Sequence, residues 1–112
     1  VTDLALLDGD FHAAFVAPYI ASGPRTAGMS HYLLGIGWDI VDQMAEWHRA
    51  MRMPVLLVWG EDDPTFPIER ARAMVPQFGD CRGLVAIPRT KLLPHEERPA
   101  AVTDAVIPFL TD

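Results

Sequence analysis

The sequence predicts an α/β fold in which two short parallel strands are flanked by helices and preceded by a helical segment. Three observations predict it. Val55-Leu56-Leu57-Val58-Trp59 is apolar at every position, as in a parallel strand covered on both faces; a half-exposed strand would alternate. A second short, mostly apolar run, 83–87, follows one helix later. Apolar residues at helical spacing fill the stretches between and after the two runs. With 112 residues, the chain makes one small domain at most, burying about 60–70% of its unfolded surface.

Residues 1–53 are rich in Ala, Gly, Met and aromatics and read as broken helices. Asp10 can cap a short helix over 11–20, with Phe11, Phe15 and Tyr19 on one side. Ser22-Gly23-Pro24 interrupts the pattern. Asp39 reads as an N-cap with Asp42 three residues on, much like a capping box. Ile40, Met44, Trp47 and Met51 then recur at helical spacing as an apolar stripe, which suits core packing or the lining of an apolar cavity. Met53-Pro54 hands over to the first strand, about 55–59, because a residue before proline prefers extended geometry.

Gly60 ends that strand and Glu61-Asp62-Asp63-Pro64 forms the loop beyond it. Pro67 suits the first position of a helix over roughly 68–78, with Ile68, Ala71, Val75 and Phe78 inward. Gly79-Asp80 closes it, the second strand covers about 83–87, and Pro99 opens a last helix. The inward face of that helix is Val102, Ala105, Val106 and Phe109, and Pro108 is expected to kink or end it. Two buried-type strands are a poor free-standing sheet. A homo-oligomer or a complementing chain is therefore the expected partner.

Composition narrows the functional classes. A formal charge of −6, from 15 acids and 9 bases without a basic cluster, argues against nucleic-acid binding. No apolar run reaches about 18 residues, so no membrane span is expected. Val1-Thr2-Asp3 lacks a signal-peptide start, and the single cysteine, Cys81, fits a reducing compartment; a cytoplasmic location is expected. His12, His31, His48 and His95 have no metal-ligand spacing, and the glycines form no phosphate-cradling pattern. No metal or cofactor is expected.

The run from Pro54 through Trp59-Gly60-Glu61-Asp62-Asp63-Pro64-Thr65-Phe66-Pro67 resembles the late strand and acid-bearing loop of α/β-hydrolases. The likeness is to the branch of epoxide hydrolases, haloalkane dehalogenases and carbon–carbon bond hydrolases. Helix 68–76 and the ending Pro94-His95-Glu96-Glu97-Arg98-Pro99 are similar to that branch too, and residues 8–53 resemble its lid helices more weakly. The resemblance implies an incomplete α/β-hydrolase core: a lid-like segment at 1–53 and a C-terminal β-α-β-α part at 54–112.

The resemblance implies that Asp63 is the triad acid, which accepts a hydrogen bond from a histidine and fixes its tautomer. Asp63 equally suits a turn, bonding to loop amides before Pro64. The family's histidine segment reads proline-glycine-x-glycine-histidine-phenylalanine-x-x-glutamate. Here it runs Pro88-Arg89-Thr90-Lys91-Leu92-Leu93-Pro94-His95-Glu96, so the histidine position holds Leu92. Leucine cannot act as a general base. His95, three residues on, is a weaker candidate that also suits a local hydrogen bond. Phe66 and Trp47 are candidate substrate-binding residues. No Gly-x-nucleophile-x-Gly elbow occurs in these 112 residues. The expectation is a truncated or non-catalytic α/β-hydrolase-like protein that self-associates or binds a partner. The alternative is a hydrolase of epoxide, ester, halide or carbon–carbon bonds acting on a small apolar substrate, active only if another chain or segment supplies nucleophile and base.

Overall fold

The computed structural model describes residues 1–111, apart from the side chain of Trp38. The chain starts with a 3-10 turn (Leu4–Leu7), a π-helical turn (His12–Val16), α1 (Ala17–Ile20), α2 (Gly23–Leu34) and α3 (Trp38–Ala50). Then come β1 (Val55–Gly60), α4 (Ile68–Met74), a 3-10 turn (Val75–Gln77), β2 (Cys81–Ile87), α5 (Pro94–Glu97) and α6 (Pro99–Thr111). Contacts divide the chain into two compact units: Asp3–Asp42, and Gln43 onward with Val1–Thr2. The division falls inside α3, so the second half of that helix goes with the strands.

The first unit differs from its sequence reading in several ways. The helix expected over 11–20 is present, helical throughout residues 10–20 with a π-helical turn at His12–Val16 leading into α1, but Asp10 is its first residue rather than its cap. The Phe11 and Phe15 rings do meet, with centroids 5.0 Å apart. Ser22-Gly23-Pro24 does interrupt the pattern: α1 ends at Ile20, Ser22 is the N-cap of α2 and Pro24 lies in its first turn, so a second helix follows at once. Proline is pre-organised for that place because its ring fixes φ and its missing N–H would be unpaired there anyway. Two glycines and few periodic apolar residues hide this helix from a pattern search. None of the described side chains of residues 3–42 is buried.

Asp39 lies in the first turn of α3 rather than at its cap. The carboxylate still opposes the positive end of the helix dipole from there. The stripe Ile40, Met44, Trp47 and Met51 is exposed, contrary to its reading as a core face. Ala45 and His48 are the half-buried positions instead. The His48 ring lies 4.4 Å from that of Phe78, and its Nδ1 is 2.8 Å from Gln77 Oε1. A polar side chain thus supplies both an aromatic and a hydrogen-bond contact.

In the second unit β1 and β2 form a two-stranded parallel sheet, aligned from Leu56 with Gly83 to Gly60 with Ile87. Register slips between Val55 and Leu56. Arg82 is the extra residue, and Gly83 takes up the slip at φ 132°, a region that side-chain-bearing residues avoid. β2 therefore begins at Cys81, two residues before its predicted start. Helices α4 and α6 pack on both strands. Ile68 and Ala71 of α4 are buried, and the predicted face Val102, Ala105, Val106 and Phe109 of α6 is half-buried. Pro67 is the N-cap of α4 rather than its first residue. Pro108 sits inside α6, which continues to Thr111.

Val55 to Trp59 are half-buried, not fully covered as their uniform apolar character suggests. Each strand has one neighbour and one open edge. Full burial gathers instead at the C-terminal end of the sheet, where Ile87 is 2% exposed and Thr90 0%. Ile87→Ala should cost about 2–5 kcal/mol, whereas Met44→Ser and Trp47→Ser on the outward stripe should each stay within about 0.5 kcal/mol. Urea denaturation of the three variants checks both statements.

Candidate functional site

Two loops leave the C-terminal ends of the strands, Glu61–Pro67 after β1 and Pro88–Leu93 after β2. Gly60 brings them together. A Cβ at this position would stand 1.9 Å from the Lys91 carbonyl oxygen and 3.0 Å from that of Thr90, so only glycine lets the second loop cross the end of β1. Backbone bonds lock the crossing: Glu61 N donates to Ile87 O at 3.1 Å and Asp62 N to Thr90 O at 2.9 Å. The buried Thr90 hydroxyl donates to Ile87 O at 2.7 Å. Arg89 adopts φ 55° in this turn, a left-handed conformation that costs a non-glycine residue roughly 1 kcal/mol.

The acid loop is organised around Asp63, which is 6% exposed. Its Oδ1 accepts from Thr65 N at 2.8 Å and Phe66 N at 3.2 Å. Trp59, the last apolar residue of β1, donates its indole N–H to Phe66 O at 2.7 Å, tying the loop back to its strand. Oδ2 makes no hydrogen bond among the described residues. Among the described residues no buried side-chain oxygen or nitrogen lacks a partner, so Oδ2 retains contact with solvent.

Asp63, Phe66, Leu92 and His95 line one pocket of about 210 Å³, floored by Val58, Trp59 and Gly60. Three of the four residues singled out from sequence are thereby brought together. The fourth, Trp47, is on the exposed stripe of α3 and does not line the pocket. Leu92 is 49% exposed. His95 opens outward at the start of α5 and forms no hydrogen bond with Asp63; its Nε2 lies 3.8 Å from Glu96 Oε1. A larger hollow of about 500 Å³ is lined by Pro54, Leu56, Arg82, Ala105 and Phe109. Its one charged group, Arg82, is held by Asp80 at 2.8 Å, so it offers no acid, base or nucleophile.

Two residues that support the site were missed in the sequence. Thr90 fills the junction beneath the loops. Glu97 of α5 reaches back to accept from Lys91 N at 2.9 Å and from Thr2 N. Glycine at a strand end was a visible signal for the crossing, but a pairing of Glu97 with Lys91 has no local signature. Burial acts to raise the Glu97 pKa, but the amide hydrogen bonds from Lys91 and Thr2 outweigh it and hold the carboxyl below its usual range. Among the described residues, no three His, Cys, Asp or Glu side chains gather as metal ligands. No described helix is long and apolar enough to cross a membrane.

Because the folded Glu97 value is depressed, its contribution is present above the unfolded carboxylate range near about 4.3. That contribution disappears as pH falls through the lower folded value. Glu97→Gln should therefore destabilise the fold at neutral pH, and do so less as the solution is acidified below about pH 4, read from denaturant midpoints across pH. Gly60→Ala should cost on the order of 3 kcal/mol or more through the collision with Lys91. In comparisons with models of known families, with curated proteins and with solved structures, nothing matches this chain.

Proposed function

We propose that this chain is an α/β-hydrolase-like module, similar to the epoxide hydrolase and haloalkane dehalogenase branch. It keeps the triad acid as Asp63 but is non-catalytic by itself, and it self-associates or binds a partner. The observation that carries this reading is that Leu92 lines the pocket beside Asp63, where the family's histidine is expected. A leucine side chain can neither take nor give a proton. The order strand, acid loop, helix, strand, histidine-type loop, helix also supports the kinship. So does the left-handed Arg89, which falls where the family motif has glycine. The partner is inferred from the open edges of a two-stranded sheet.

A second reading rests on the solvent-contacting Oδ2 of Asp63. With Oδ1 engaged by two amides, that oxygen is placed to orient an imidazole. The module would then belong to a hydrolase whose nucleophile and base come from another chain or segment.

The purified chain should not hydrolyse p-nitrophenyl acetate or styrene oxide faster than its Asp63→Ala variant does. Turnover that disappears in Asp63→Ala would overturn the non-catalytic reading. Light scattering should give a mass above that of one chain, and a monodisperse single-chain mass with no partner recruited would remove the self-association.

A further inference from the structure

We propose that the free edge of β1 pairs antiparallel with the same edge of a second copy of this chain, giving a two-fold symmetric dimer. This names the partner and the surface of the self-association proposed above, and it rests on that reading. Hydrogen bonds to β2 leave from alternate residues of β1. Val55 N donates to Asp80 O at 2.9 Å and, just past the strand, Glu61 N donates to Ile87 O at 3.1 Å. By that alternation Leu57 and Trp59 also face β2, while the amides and carbonyls of Leu56, Val58 and Gly60 face the open side. Outside the ladder, no backbone hydrogen bond involves those groups among the described residues.

The two edges of the sheet are not equally protected. β2 begins with the irregularity at Arg82, whose exposed guanidinium is held by Asp80 at 2.8 Å. Bulges and charged side chains are devices that keep an edge from pairing. β1 has neither, since Val55–Gly60 carries no charge, and such a strand meeting its own copy sets no like charges opposite each other. The ends of the edge fix the register. Pro54 has no N–H, and Gly60 is crossed by the Lys91 carbonyl. Only Leu56 and Val58 present both a donor and an acceptor. The two-fold axis therefore falls at Leu57, and Leu56 of each copy exchanges both backbone bonds with Val58 of the other. Exposed Arg52 ahead of β1 then comes to the side of exposed Glu61 and Asp62 beyond β1 in the second copy. A parallel pairing would set acids beside acids, so charge favours the antiparallel sense.

Amide hydrogen exchange of the full chain, followed by NMR alongside light scattering at the same concentrations, tests the pairing. The mass should rise to that of two chains with concentration, and exchange of the Leu56 and Val58 amides should slow by about tenfold or more in step with it. The Leu57 and Trp59 amides, bonded to β2 in either state, serve as the internal reference. Arg52→Asp should weaken association by about tenfold, and adding Asp62→Arg should restore it. An oligomer whose Leu56 and Val58 amides exchange as fast as in the dilute chain would overturn the edge pairing and leave self-association standing. Unchanged affinity in Arg52→Asp would overturn the antiparallel sense. A single-chain mass at every concentration would remove the edge pairing and self-association together, so the two failures are distinguishable.

Discussion

The close approach of the Lys91 carbonyl to Gly60 organises the two loops at the C-terminal end of the sheet. Because Gly60 has no side chain, the loop after β2 passes directly over the end of β1. Its backbone then supplies the acceptors that the first loop needs, at Ile87 and Thr90. Neither loop has much regular structure of its own. Each completes the hydrogen bonding of the other, which explains why a threonine and an aspartate are among the few buried residues of so small a chain. Glu97 extends the same network by holding Lys91 from α5.

This arrangement makes a well-supported pocket with little reactive chemistry in it. The acid is anchored by two amides, and the strand tryptophan fixes the loop that carries it. Opposite it stand a leucine and a histidine that turns toward Glu96. General acid–base work needs a titratable group within hydrogen-bond reach of its partner; among the described residues Asp63 and His95 form no hydrogen bond with each other.

Stability is unevenly distributed. Ile68, Ala71, Ile87, Asp63 and Thr90 are buried, while residues 3–42 contribute no buried side chain among those described. A two-stranded sheet depends on the helices packed on it, here α4 and α6. Ile68 and Ala71 are the buried residues of α4, and Phe109 of α6 lines one hollow with Leu56 of β1.

The sequence by itself determined the β-α-β-α order of residues 54–111, the inward faces of α4 and α6, and the acid loop beyond β1. Each of these is governed by local rules: uniform apolar runs, helical periodicity, and glycine or proline at element ends. The placing of Asp63, Phe66 and His95 as one group was partly legible, because residues just past adjacent parallel strands must emerge at the same end. Trp47 does not line this pocket, and periodicity, which identifies an apolar stripe, does not say what the stripe faces. Only tertiary structure placed His48 against Phe78 and left that stripe exposed. Likewise, Gly60 admits the second loop, and Thr90 and Glu97 complete the junction through contacts between residues distant in sequence. Such contacts follow from close packing in three dimensions, which no local pattern encodes.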